Sequence, residues 1–378
     1  MNRRVLLVLM LVCALVVLAP RAWAQRPPDT DPPSGVITRD IKLGWDRSAM
    51  PGDIEIWARK TLVAYDRDPL KQYGALFITC ASATDSATGR CPTENTSEPS
   101  AVEGKVVVRL VEQRGGLSAD FTLLASVYRA DQTAACHSSY WSNLSYVPWT
   151  TFGAPCDWNP PAGTGAGLRI LAPELTHLTA GHWRGALDLY LRKPPAQHLA
   201  KYVFNFDFTV TDYDAISIYF PGFDGVAPLV NMDLRYDPIR KVVAGRKEVD
   251  MCLYDGVGSQ SEFLGVTVRD SGPRPPPGRD FAVWHQDGGS DDTQRLDYQV
   301  GLNYGGNLLA MKHGEEQLLR GIDSAQLRMV LLPGISQPVY CVPTPLTLET
   351  PPTPIASKRP GLYDGELTVE LRVPTAKP

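Results

Sequence analysis

The residue types that carry acid–base, nucleophilic or metal chemistry are few in this chain and poorly spaced for it. The six histidines, His137, His177, His182, His198, His285 and His313, never form H-E-x-x-H, and no G-x-S-x-G elbow occurs. Gly256-Val257-Gly258-Ser259-Gln260 lacks the closing glycine of such an elbow. Gly163-Thr164-Gly165-Ala166-Gly167 has the glycine density of a dinucleotide loop but no strand before it and no helix after it. A flexible turn is expected there. Asp291-Asp292 could pair for glycoside hydrolysis, yet the polar run 288–293 around them reads as a solvated loop. A zinc site would need C-x-x-C pairs or histidines at ligand spacing, and neither is present. The sequence therefore points away from an enzyme, a metal protein or a cofactor protein.

Binding chemistry is better represented. Arg184, Arg192, Lys193, His198 and Lys201 concentrate positive charge around Pro194-Pro195. Arginine's planar fork suits carboxylate ligands, so Arg192, Lys193, Arg184 and Lys201 form a candidate receptor-binding set. Trp141, Tyr146, Trp149, Phe152 and Trp158 cluster around Cys136 and Cys156. They would either grip a sugar face or pack a small core under the loop. With 37 Lys+Arg against 41 Asp+Glu the net charge is -4, which does not favour nucleic acid as a partner.

The amino terminus reads as an export signal over residues 1–24: Arg3 and Arg4, an apolar run from Val5 to Ala19, then Ala22-Trp23-Ala24. Export makes the even cysteine count informative. Cys13 leaves with the signal, and Cys80, Cys91, Cys136, Cys156, Cys252 and Cys341 remain. Sequence proximity pairs Cys80–Cys91 and Cys136–Cys156 and leaves Cys252–Cys341, in an oxidising compartment.

Positioning falls to β-strands. Period-2 alternation recurs around Val106–Leu110, Phe121–Val127, Leu187–Leu191, Phe204–Val210, Ile216–Phe220, Leu296–Tyr304 and Leu367–Val373. Helical signals are limited to residues 172–178 and 315–328, the latter weakened by Gly321. With 32 Gly and 33 Pro, many short strands and many turns give an all-β protein of antiparallel sandwiches. One sandwich accounts for roughly 100–200 residues, so two are expected. The turn-rich stretch Pro221-Gly222-Phe223-Asp224-Gly225 divides them, giving domains 25–224 and 225–378. The Pro-rich stretches 273–277 and 351–354 are expected to be loops, and residues 25–34 a loose leader.

The second half also carries a resemblance. Val249-Asp250-Met251-Cys252-Leu253-Tyr254-Asp255-Gly256, Ile335-Ser336-Gln337-Pro338-Val339-Tyr340-Cys341 and Gly361-Leu362-Tyr363-Asp364-Gly365-Glu366-Leu367-Thr368-Val369 resemble segments of the CfaE/CblD-type fimbrial tip adhesins. These belong to the alpha, or class 5, chaperone–usher pili. Asp233-Leu234-Arg235, Ala244-Gly245-Arg246, Leu62-Val63-Ala64-Tyr65 and the stretch from Phe77 to Cys80 extend the resemblance over almost the whole exported chain. The resemblance implies two immunoglobulin-like β-sandwiches, an adhesin domain and then an incomplete pilin domain. It implies a groove edged by Leu367, Val369, Leu371 and Val373, filled by a periplasmic chaperone and then by a donor strand from the major pilin subunit. It further implies an outer-membrane usher, a place at the fimbrium tip on the cell surface after passage through the periplasm, and a host glycan or surface protein as receptor. The family's basic patch is retained in part. Ala75 stands at one arginine position, and Leu191-Arg192-Lys193-Pro194-Pro195 keeps two charges of the other run. Two alternatives differ in chemistry: an assembly initiator that binds no receptor, and a secreted glycan-active enzyme.

Overall fold

In the computed structural model, residues 25–96, 102–273 and 279–374 are described. The strand run 104–112 shows how the fold begins locally. Val106, Val108 and Leu110 are fully buried while Lys105, Arg109 and Val111 are exposed, so one face packs and the other meets solvent.

The first nine strands are β1 (Gly35–Asp46), β2 (Ile54–Tyr65), β3 (Phe77–Cys80), β4 (Gly104–Glu112), β5 (Ser118–Ala130), β6 (Trp141–Tyr146), β7 (Gly163–Ile170), β8 (Gly181–Lys193) and β9 (Gln197–Thr211). They form one sheet in the order β1-β9-β8-β4-β5-β7-β2, with β3 added to β8 and β6 to β5. The sheet closes over itself. Trp57 of β2 packs 4.7 Å, centroid to centroid, from Tyr202 of β9, although the two strands lie far apart in the sheet order. The two layers enclose a core that includes Leu123, Leu168, Leu187, Phe204 and Phe208. β1 runs parallel to β9, a departure from the antiparallel expectation. A single helical turn, α1 (Ala172–Leu175), lies within the expected 172–178.

The remaining strands are β10 (Ser217–Tyr219), β11 (Arg235–Asp237), β12 (Val242–Val249), β13 (Cys252–Tyr254), β14 (Phe263–Asp270), β15 (Phe281–His285), β16 (Arg295–Tyr304), β17 (Asn307–Met311), β18 (Glu316–Arg320), β19 (Arg328–Val330), β20 (Val339–Pro343), β21 (Leu346–Pro354), β22 (Tyr363–Asp364) and β23 (Leu367–Arg372). Three sheets result: β10-β13-β20-β19, β11-β12-β21-β16-β15-β22 with β17 on β16, and β18-β14-β23. They share a second core around Leu253, Leu264, Val266, Phe281 and Leu302. The disulfides are Cys80–Cys91, Cys136–Cys156 and Cys252–Cys341, as the spacing predicts.

Several local expectations are corrected. Residues 163–167 are not a flexible turn but the start of β7, buried in mid-sheet. Their glycines are needed because large neighbours lie on the strand: a Cβ at Gly163 would fall 2.6 Å from the Tyr65 ring. Residues 316–320 form β18, whose ladder with β14 overrides their helix-forming composition. Residues 351–354 belong to β21. The prolines at 351 and 352 sit where the register with β12 slips, so no ladder bond is lost to them. The leader is tied down, since Thr30 and Tyr65 exchange two backbone hydrogen bonds of 2.8 and 2.9 Å. The strand expected to close the first domain, β10, instead pairs with β13 in the second. The signal segment 1–24 and most of 273–277 lie outside the described residues.

The two sandwiches meet in a polar seam. Asp212 N donates to Gly256 O at 2.7 Å. Gln260 donates to Glu112 Oε1 at 3.3 Å, and Arg114 donates to Ile322 O at 3.2 Å.

Candidate functional site

Strand parity fixes what β8 and β9 present to solvent. Trp183, Leu187, Leu189 and Leu191 point inward and are buried. Arg184, Asp188, Tyr190 and Arg192 therefore stand on the outer face. On β9 the inward set is Tyr202, Phe204, Phe206 and Phe208, which leaves Lys201 and Asp207 outside. Tyr190 and Lys201 are directly opposite in the ladder.

A cationic cluster forms on that pair beside the Pro194-Pro195 turn. The Arg192 guanidinium carbon lies 5.8 Å and the Lys201 ammonium 5.7 Å from the centre of the Tyr190 ring. The His198 ring lies 5.5 Å away. Cations over an aromatic face are attracted to its quadrupole. Arg192 Nε donates to Thr79 Oγ1 at 3.0 Å, which aims the side chain. Lys201 is bonded to Asp188 at 2.7 Å, and that carboxylate raises its pKa. Among the described residues Arg192 and Lys193 have no carboxylate partner, so they hold the unspent charge.

Arg184 does not join this cluster. It lies eight residues along β8, about 26 Å at ordinary strand rise, and pairs with Asp207 at 3.5 Å. His182 bonds the same carboxylate and, more than Arg184 does, lowers its pKa.

The aromatic cluster splits. Tyr146 and Trp149 are buried, so they act as core. Trp158 is 99 % exposed. It occupies a two-residue turn closed by hydrogen bonds of 3.0 and 2.9 Å between Cys156 and Asn159, with φ of 47° at Asp157 and 67° at Trp158. Both values are left-handed, a conformation tryptophan rarely adopts. Sequence composition gives no sign of which aromatic is left outside. Beneath this loop Arg129 is fully buried, and its guanidinium donates to Leu76 O, Thr150 O, Phe152 O and Thr164 Oγ1 at 2.6–3.0 Å. Nothing in the strand pattern of β5 marks Arg129 as a buried anchor.

The second candidate feature is the edge of β23. The strand bonds β14 along one side, from Leu367 opposite Asp270 to Arg372 opposite Gly265. Among the described residues its other side carries no ladder. Leu367, Val369, Leu371 and Val373 point at the second core but are only half-buried, whereas Leu264, Val266 and Val268 next to them on β14 are fully buried. An open backbone edge above a half-covered apolar row is a template for an added strand.

A closed sandwich with an exposed cationic end, followed by a sandwich with an open edge, is the architecture of a two-domain fimbrial protein. The family profile for the first domain of CfaE, a CFA/I fimbrial protein, matches residues 20–213, and that for its second domain matches residues 216–375. The chain belongs to this family. The profiles part ahead of β10, in line with its pairing to β13. Among individual relatives, the CfaE fimbrial protein of Escherichia coli CFA/I is 24% identical over 308 residues, covering 79% of this chain and 80% of that protein. The crystal structure of CfaE, the adhesive subunit of CFA/I fimbria of enterotoxigenic Escherichia coli, shares the fold. Its TM-score is 0.72 at 22% identity, over 92% of this chain and 95% of that one. A structure from a chaperone–tip adhesin complex of CFA/I fimbriae biogenesis matches with a TM-score of 0.68 at 22% identity, over 93% of this chain and 99% of that one.

Proposed function

We infer that the protein is a fimbrial tip adhesin, a binding and structural component displayed at the cell surface. The observation that carries this is the edge of β23. Its half-buried apolar row belongs to a domain whose sheet is finished by another chain. The first domain presents the receptor face, and the second, which includes β10, accepts the donor strand. The donor comes from the major pilin, and a periplasmic chaperone holds the same edge beforehand, in keeping with the chaperone complex known for the structural relative. An outer-membrane usher would then export the assembly. Immunogold labelling with antibodies to the first domain tests the position: single labels at fibre ends are expected, and labels along the shaft refute it.

Receptor binding is assigned to the Tyr190 end of β8 and β9, through Arg192 and Lys193 with Lys201 beside them, toward an anionic group on a host glycan or surface protein. Each charge-assisted hydrogen bond contributes about 1.5–3 kcal/mol. An Arg192→Ala, Lys193→Ala double variant is expected to lose host-cell adhesion by roughly tenfold or more with its melting temperature unchanged. Unaltered adhesion would exclude this patch. It would favour the second reading, in which the exposed Trp158 on its disulfide-stapled turn makes the contact.

A further inference from the structure

The outer face of β6, β5, β7 and β2 carries a separate cleft of about 560 Å³, walled by Arg59, Lys60, Glu103, Tyr128, Asn143, Ser145 and Arg169. Its origin is a defect in the β2–β7 ladder. Trp57 pairs with Leu168 and Thr61 with Ala166, so Ala58, Arg59 and Lys60 together face the single Gly167. Thr61 Oγ1 donates to Ala58 O at 2.6 Å and ties off this bulge. Lys60 at its apex has φ 61°. A left-handed lysine is costly, and such outliers persist where the surroundings hold them, often at ligand sites. The floor is cut to fit. A Cβ at Gly167 would lie 3.2 Å from the Tyr128 ring and 3.4 Å from the Arg59 Cα. A larger residue here would press the Tyr128 ring outward by a few tenths of an ångström.

Charge in the cleft is unbalanced. Arg169 is spent on Glu103 at 2.6 Å and Asp53 at 3.2 Å. Arg59 meets only Glu55, at 3.8 Å, and is more than half exposed. Lys60 has no ion-pair partner among the described residues. Lys60, unpaired among the described residues, and Arg59, held only by a long, exposed contact to Glu55, thus stand beside an amide, a hydroxyl and a phenol. The cations match a carboxylate or sulfate, and the neutral groups match sugar hydroxyls. The volume lies in the range of small-molecule sites, roughly 300–1,000 Å³.

We propose that this cleft is a second saccharide site, selective for an anionic sugar and independent of the Tyr190 cluster. The test uses the full chain carrying Arg192→Ala and Lys193→Ala, so that the first patch cannot contribute. Calorimetric titration with 3′-sialyllactose, a heparin-derived tetrasaccharide and neutral lactose is expected to show binding of at least one anionic probe and none of lactose. Adding Arg59→Gln and Lys60→Asn removes both charges while keeping a residue that tolerates left-handed backbone. Affinity should then fall roughly tenfold or more at unchanged melting temperature. Asn143→Trp, at an exposed position, should block the cleft to the same effect and serves if the charge variants fold poorly. The proposal is overturned if neither anionic probe binds, if lactose binds equally, or if neither the charge removal nor Asn143→Trp weakens binding.

Discussion

Replacing Arg129 by methionine is the sharpest probe of how the adhesin domain is held together. The side chain is fully buried with no carboxylate partner among the described residues, an arrangement that costs solvation energy and pushes its pKa down to about 9. It remains charged at neutral pH, and its donors join β5 to two other segments: Leu76 O at 2.8 Å on one, Thr150 O at 2.7 Å and Phe152 O at 3.0 Å on the other. Thr164 Oγ1 accepts a fourth bond at 2.6 Å and itself donates to Tyr73 O at 2.7 Å. Arg129→Met keeps most of the volume and removes every donor. Two buried carbonyls and one part-buried carbonyl lose a donor, each costing about 1–3 kcal/mol, and relief of the buried cation's desolvation offsets part of that. A net loss of about 3–5 kcal/mol follows. For a domain of this size each kcal/mol moves the melting temperature by about 2–4 °C, so a fall of roughly 6–20 °C is expected by circular dichroism. Limited proteolysis should open the segment between Val147 and Cys156 first. A shift below about 2 °C, with that segment still protected, would refute the view that this guanidinium pins the loop.

Two further outcomes follow from local chemistry. Asp46 is pushed up by burial but held down at about 2 by hydrogen bonds from Ser48, Thr211 and Tyr213. Because its folded pKa is depressed, the stability it supplies is complete above about pH 4 and is lost as pH falls toward about 2. Asp46→Asn should flatten that part of the acid-unfolding profile, and an unchanged profile would contradict the assignment. Trp158→Gly should raise stability by roughly 1 kcal/mol, since glycine accepts left-handed backbone without penalty. A melting temperature below that of the parent would show that the turn is not strained.

The sequence discloses those parts of the fold that depend on side-chain alternation. The runs at 106–110, 121–127, 187–191, 204–210, 296–304 and 367–373 all lie in or along strands, because each buries one face against a core. β7 is hidden, since glycines carry no hydropathy and are chosen there by the rings of Tyr65, Tyr128 and Trp141 above them. β18 is hidden because Glu316–Arg320 is helix-like in composition and gains its strand state only from β14. The ownership of β10 depends on its partner across the ladder, which no local pattern encodes. For the candidate site, density in sequence brings Arg192 and Lys201 together about one tyrosine, but it also groups Arg184 with them although strand rise carries it far away. The exposed Trp158 and the Ala58–Lys60 bulge both depend on left-handed backbone, which leaves little trace in residue type.

The central claim is that another chain completes the second domain along β23. It is tested most directly by fusing the major pilin's N-terminal donor segment after Pro378 through a flexible linker and following unfolding of that domain. A donor that covers Leu367, Val369, Leu371 and Val373 buries apolar side chains contributing about 1.5–3 kcal/mol each. The melting temperature should therefore rise by more than about 10 °C, and a donor with charged residues at its alternate positions should give no rise. An unfused domain that already melts at the fused temperature, or an equal rise with the charged donor, would contradict donor-strand completion and with it the place of this protein at a fimbrial tip.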